Sequence, residues 1–180
     1  EYNFDIAVDD YVYIDFLSFV DIVDAVGGIE LDISDEEAEG MKPPMAEQNK
    51  LLGNKKGTDY LDKGGKKLLV NGNQALAYAR LRYVGNADFQ RTERQRTVIT
   101  KIIEKAKSSD PLTIDKFAKA SMSHLTTNMS QTQLFALTYK AIFSMNYEIK
   151  SMRIPDDDSY SYGTSSDGQS ILEVDFEACK

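Results

Sequence analysis

The sequence predicts a mixed α/β fold, a central sheet flanked by helices in three α/β/α layers, built as one domain over residues 1–180. Three observations lead there. FLSFVDIVDAV sets Phe16, Phe19, Val20, Val23 and Val26 at helical spacing and stops at Gly27-Gly28, a helix C-terminal signal. IELDI follows at once, with Ile29, Leu31 and Ile33 alternating with Glu30 and Asp32 as in a half-buried strand. Beyond it, helix-like and strand-like patterns keep exchanging, with no internal repeat.

Taken in order, YVYIDF at 11–16 is β-branched and aromatic and predicts a strand leading into the first helix. From Ser34 to about Lys66 the chain turns acidic and rich in Pro, Gly and Lys. A surface excursion with little regular structure beyond a short hairpin is expected there. KKLLV and an Asn71-Gly72 turn lead into NQALAYARL, whose composition favours a short helix. After a break at Gly85-Asn86, Asp88 is placed to cap a helix from about Phe89 to Lys107. Two more helices are expected, Ile114 to His124 and, capped by Ser130, Gln131 to Ser144. YEIKSMRI and ILEVDF read as strands separated by a Gly/Ser/Asp-rich loop.

Composition narrows the chemistry. The chain of 180 residues, 42% hydrophobic and 28% charged, is that of a globular domain rather than a disordered or collagen-like one. Its longest apolar passage is broken by Asp21 and Asp24, well short of the roughly 18 residues of a membrane span. The chain opens with EYNFDIAV and no initiator Met, and is expected to be cut from something longer. Cys179 is the single cysteine and has no local His, so it reads as an incidental thiol; the single His124 reads as structural. Zinc clusters and Ser/His or Cys/His nucleophile arrangements are therefore poorly supported. A formal net charge of -8 argues against general nucleic-acid binding, which needs a broad basic surface.

Against that acidity, Arg80, Arg82, Arg91, Arg94 and Arg96 crowd into residues 80–96. On the helix after Asp88, Arg91, Arg94 and Gln95 share a face that continues into Val98 and Ile102, the core stripe. Arginines on such a face need partners, because an unpaired buried charge is costly. Arg96 points about 140° away from Arg91 and reads as surface or packing. Arg80 and Arg82 share a side if the chain is extended there. A helix start favours anions, and guanidinium groups offer paired donors to phosphate oxygens. Two readings stay open: a phosphate or pyrophosphate pocket with Asp88 orienting an arginine or capping the helix, and an internal network of Arg with Asp or Glu.

The arrangement ALAYARLR, a short loop, then DFQRTERQR resembles the signature of the LytR-CpsA-Psr family of bacterial cell-wall glycopolymer transferases. YVYIDFLSFVDIVDAVGGIELDIS is similar to that family's other recognisable segment. The resemblance implies an α/β domain on the outer face of the cytoplasmic membrane, tethered by one N-terminal transmembrane helix. It further implies transfer of a teichoic acid or capsular polysaccharide from a polyprenyl pyrophosphate carrier onto a peptidoglycan acceptor, with a phosphodiester formed. By the same resemblance Arg80, Arg82, Arg91 and Gln95 contact the pyrophosphate, Asp88 and Arg91 take part in catalysis, and Arg94 matches the motif with a less direct role. The lipid tail calls for an apolar pocket lined by the helices at 16–26 and 89–107. Mg2+ is the implied cofactor, held by one or two carboxylates and phosphate oxygens.

The chain departs from the family pattern by lacking its N-terminal strands, with their metal-binding aspartates and a further arginine; no Arg precedes Arg80. Asp5, Asp9, Asp10 and Asp15 are not in the expected context, so no metal ligand is assigned. A sheet missing strands leaves an edge for the 34–66 excursion or another chain to cover. Besides a transferase, two readings remain: a non-catalytic module that holds polyprenyl-linked or wall polymer, and a transcriptional regulator, opposed by the acidity and by the lack of a basic helix-turn-helix.

Overall fold

The computed structural model describes residues 2–82, 84, 87–143, 152–156 and 158–180; at 87, 88, 121–124, 138 and 141–143 only the backbone course is described. The chain divides into two compact units, Val12–Tyr147 and a second one made of Glu1–Tyr11 with Glu148–Lys180.

The larger unit begins with β1 (Val12–Tyr13), which pairs antiparallel with β4 (Thr126–Thr127). The strand expected over 11–16 is thus shorter, because Asp15 leaves it to cap α1 (Phe16–Ala25), accepting from the Ser18 N–H at 2.8 Å and the Ser18 hydroxyl at 2.7 Å. α1 ends on Gly27 and Gly28, whose φ values of +79° and +83° suit residues without a Cβ. β2 (Ile29–Ile33) then buries Ile29, Leu31 and Ile33 while Glu30 and Asp32 face out. Its alternation is the one read from the sequence.

The segment after β2 corrects the expectation of an irregular excursion. It holds two helices, α2 (Asp35–Gly40) and α3 (Lys42–Leu51). Ser34 and Glu37 close a reciprocal capping box at the start of α2, and Pro43 sits in the first turn of α3, where its missing N–H is harmless. Met41 and Met45 are fully buried. The following loop is tied down by amides: Asn73 Nδ2 donates to Asn49 Oδ1 at 2.9 Å and to Asp59 Oδ2 at 3.0 Å, and Asn49 Nδ2 donates to the Thr58 carbonyl at 2.8 Å.

β3 (Gly65–Val70) pairs antiparallel with β2, Ile29 opposite Val70 and Leu31 opposite Leu68, with a shift in register between Leu31 and Ile33. Asn71, rather than forming a turn with Gly72, caps α4 (Gly72–Ala79) in a second capping box with Gln74. α4 is almost wholly buried and crosses α1 so closely that a Cβ on Gly72 would stand 2.2 Å from the Val20 carbonyl oxygen. α5 (Ala87–Lys107), α6 (Pro111–His124) and α7 (Gln131–Phe143) follow as expected, α7 with Ser130 and Gln133 bonded reciprocally at its start. Val98, Ile102 and Ala106 carry α5 onto the core formed by α1, β2, β3 and α4.

In the smaller unit, β5 (Tyr160–Thr164) and β6 (Ser170–Val174) form an antiparallel hairpin in continuous register. ILEVDF is realised in β6, whereas β5 lies in the stretch expected to be loop. Most of YEIKSMRI, and the break at Gly85-Asn86, lie outside the described residues. The α/β class holds, but the described strands form three two-stranded antiparallel pairs in place of one mixed central sheet.

Candidate functional site

Packing of α1, α4 and α5 leaves an apolar cavity of about 330 Å³ between them, walled by Phe19, Ile22, Leu76, Ile99, Ile102 and Ile103. α1 contributes the side chains that follow its Asp15 cap, and α5 contributes the turn at 99–103 whose inner face is anchored by Val98 and Ile102. This is where an apolar pocket between the helices at 16–26 and 89–107 was expected. Two polar side chains from the arginine-rich stretch reach its wall, Arg80 from the end of α4 and Gln95 from α5. Gln95 Nε2 donates to the carbonyl of Ala79, the last residue of α4, at 3.5 Å.

Arg80 is the cationic group on the wall of this cavity. Its Nη2 pairs with Glu47 Oε2 at 2.9 Å, and its Cζ lies 4.6 Å from the centroid of the Phe16 ring, a cation–π distance. Nη1 is buried and has no hydrogen-bond partner among the described residues. A guanidinium with one arm in an exposed ion pair and another arm without an acceptor keeps donors for an anion.

Arg94 behaves differently. It is 6% exposed, and its guanidinium is engaged by the protein itself: Nε donates to Glu37 Oε1 at 3.0 Å, Nη2 to the Val84 carbonyl at 3.1 Å and to Gln90 Oε1 at 3.3 Å, and Nη1 to the Leu81 carbonyl at 3.5 Å. The Tyr78 ring lies 5.9 Å away. Burial pushes the Tyr78 phenol above its ordinary range; the Glu37 charge adds to the rise and Arg94 opposes it. Of the two readings of the arginine cluster, the internal ion network is the one realised at Arg94, which is withdrawn from the substrate-binding set.

The remaining expected residues are less gathered. Arg82 is exposed and Arg91 half-buried, each with protein interactions. Arg96 is half-buried on α5. Asp88 is the second residue of α5, inside the helix rather than before it, and its side chain lies outside the described residues. His124 likewise has only its backbone described. Sequence reading missed Phe16 as a site residue, placing it in the core stripe although it is 46% exposed, and missed Glu47, which sits in the segment expected to be irregular.

For Mg2+ the fit is poor. Among the described residues no three His, Cys, Asp or Glu side chains come together. Asp15 is the carboxylate on the cavity wall, and its Oδ1 already caps α1. No step is derived through a metal here.

Comparison with known proteins places these features in context. The model of the LytR_cpsA_psr family matches residues 1–179. The polyisoprenyl-teichoic acid–peptidoglycan teichoic acid transferase TagV of Bacillus subtilis is 33% identical over 134 residues, 73% of this chain and 31% of that protein. Biofilm regulatory protein A of Streptococcus mutans is 32% identical over 157 residues, 83% of this chain and 34% of that protein. The crystal structure of B. subtilis TagV superposes with a TM-score of 0.68 at 26% identity, covering 99% of this chain and 63% of that one. TagT bound to LI-WTA gives 0.58 at 27% identity, covering 78% and 47%. The chain thus spans about a third of the length of these two curated relatives.

Proposed function

Because the chain belongs to the LytR-CpsA-Psr family, we propose that it supplies the carrier-binding part of a transferase that moves an anionic glycopolymer, a teichoic acid or capsular polysaccharide, from polyprenyl pyrophosphate to peptidoglycan. The observation that carries this reading is the cavity between α1, α4 and α5, hydrocarbon on its walls with a guanidinium at one side. An amphiphile with an isoprenoid tail and a pyrophosphate head matches both halves, the tail by apolar burial and the head by charged donors. TagV, named as a teichoic acid transferase, and TagT, solved with LI-WTA, support the same class of ligand.

In the proposed reaction an acceptor hydroxyl attacks the sugar-linked phosphorus. The new phosphorus–oxygen bond completes a phosphodiester, the bond to the bridging oxygen breaks, and prenyl phosphate leaves with the electron pair and takes up the proton that the hydroxyl gives up. Negative charge spreads over the phosphoryl oxygens, and fixed guanidinium groups stabilise it. Arg80 is the group placed for this, with Arg82, Arg91 and Gln95 completing the head-group contacts and Asp88 orienting them. The proposed location is the outer face of the cytoplasmic membrane; no described helix is long and apolar enough to cross a membrane.

Arg91→Ala tests the head-group assignment. Calorimetric titration with farnesyl pyrophosphate is expected to show affinity falling by about 1.5–3 kcal/mol with the fold retained, the range for a charged hydrogen bond. Unchanged affinity in the folded variant would remove Arg91 from the site.

A further inference from the structure

The cavity beside Arg80 has a neighbour. A second apolar cavity, about 270 Å³, opens toward α3 and is walled by Leu17, Val20, Leu51 and Leu52. Asp15, Phe16 and Leu76 line both cavities and so form the wall between them. Leu76 is 5% exposed and fixed in the core, and Asp15 is held by its cap bonds to Ser18. Phe16 is the loose member. It is 46% exposed at the first position of α1, where no preceding helical turn restricts its side-chain torsion.

The same ring covers Arg80. Nη1 of that arginine is buried without an acceptor among the described residues, although a charged donor shut away from both water and partner is unfavourable. The cation–π contact with Phe16 offsets part of that cost, yet it leaves Nη1 unsatisfied. Displacing the ring therefore does two things at once. It uncovers a donor suited to a phosphate oxygen, and it opens the movable part of the wall between two cavities, of about 330 and 270 Å³, that lie just above and just below the bottom of the roughly 300–1,000 Å³ range of small-molecule sites.

We propose that Phe16 is a movable partition that sets tail-length selectivity: swung away from Arg80, it joins the two cavities into one groove for a long isoprenoid chain and exposes Nη1 to the phosphate. With the ring in place, only a short tail fits the cavity beside Arg80. Phe16 is thus a specificity-determining residue, and a long-chain ligand binds against the cost of moving it. The inference rests on the carrier-binding reading of this cavity.

Calorimetric titration of the folded chain with geranyl and geranylgeranyl pyrophosphate, which share a head and differ in tail length, tests it. In Phe16→Ala the preference for the longer tail over the shorter is expected to rise by about tenfold, since each newly buried methylene adds affinity. Phe16→Leu keeps apolar bulk at this half-exposed position should the alanine variant fold poorly, and a smaller rise is expected in it. Phe16→Trp is expected to lower the preference. A ratio that stays within about twofold of wild type in the folded Ala or Leu variant, with both ligands still bound, overturns the partition while leaving the carrier site intact. Binding of neither ligand to folded wild-type protein overturns the carrier site itself, and the partition with it.

Discussion

Arg94 Nε donates to Glu37 Oε1 at 3.0 Å, with the two side chains 7% and 16% exposed, and so joins the middle of the arginine-rich helix to the capping box of a helix 57 residues earlier. Glu37 reaches back to the Ser34 N–H through its other oxygen, so one carboxylate holds both the start of α2 and the side of α5. The carbonyls of Leu81 and Val84, which follow α4, accept from the same guanidinium. Arg94 thereby holds Leu81, which stands between Arg80 and Arg82, and Val84 against α5.

Arg94→Ala is expected to destabilise the fold by about 3–5 kcal/mol, the cost of leaving a buried partner charge and two carbonyls uncompensated. Urea denaturation checks it. A variant that keeps wild-type stability but loses pyrophosphate affinity would return Arg94 to the ligand site.

Arg80→Ala is expected to do the reverse. Its ion-pair partner Glu47 is 69% exposed and can be solvated, so the fold loses about 1 kcal/mol or less. Affinity for farnesyl pyrophosphate is expected to drop by about 1.5–3 kcal/mol, read by calorimetry. Loss of stability comparable to that of Arg94→Ala would make Arg80 a second structural arginine.

Gly72→Ala probes the α1–α4 crossing that supports one wall of the cavity. A Cβ there meets the Val20 carbonyl oxygen at 2.2 Å and the Val20 Cα at 2.7 Å, backbone atoms that cannot step aside without moving α1. A destabilisation of about 1–3 kcal/mol is expected in thermal or urea melts; a neutral effect would show that the two helices can separate freely.

Asp24 gives a pH signature at the same crossing. Burial pushes its carboxyl above the ordinary carboxylate range; the hydrogen bond from the Gly72 N–H, 2.7 Å from Oδ1, opposes the rise, and the charges of Asp21 and Asp59 add to it. The folded chain then holds this proton more tightly than the unfolded chain. Its contribution to stability is present below the unfolded value of about 3.9 and is lost as pH rises through the folded value. Asp24→Asn retains an oxygen for Gly72 and is expected to flatten that part of the stability–pH profile. An unchanged profile in the variant would assign the dependence to other carboxylates.

Much of this architecture is legible from local pattern. Ile29, Leu31 and Ile33 alternate because one face of β2 is buried, and Gly27-Gly28 ends α1 because positive φ is needed there. The helices at 35–51 were also written locally, in Ser34 and Glu37 as a capping box and in Pro43 as a first-turn residue, but Gly40 and the paired prolines read as breakers. The division of labour among the arginines was not legible. Helical spacing puts Arg91, Arg94 and Gln95 on one face, yet whether that face meets ligand or protein depends on Glu37 and on the Leu81 and Val84 carbonyls, which are brought there by tertiary packing. Phe16 escaped for a related reason: its apolar character fits a core stripe and a cavity lip equally well.

The most direct measurement is a calorimetric comparison of farnesyl pyrophosphate, inorganic pyrophosphate and farnesol on the folded wild-type chain. A cavity with hydrocarbon walls beside Arg80 predicts that farnesyl pyrophosphate binds at least about tenfold more tightly than either half alone, because head and tail are held at once. Equal affinity for farnesyl pyrophosphate and inorganic pyrophosphate, or no binding of farnesyl pyrophosphate at all, would contradict the account.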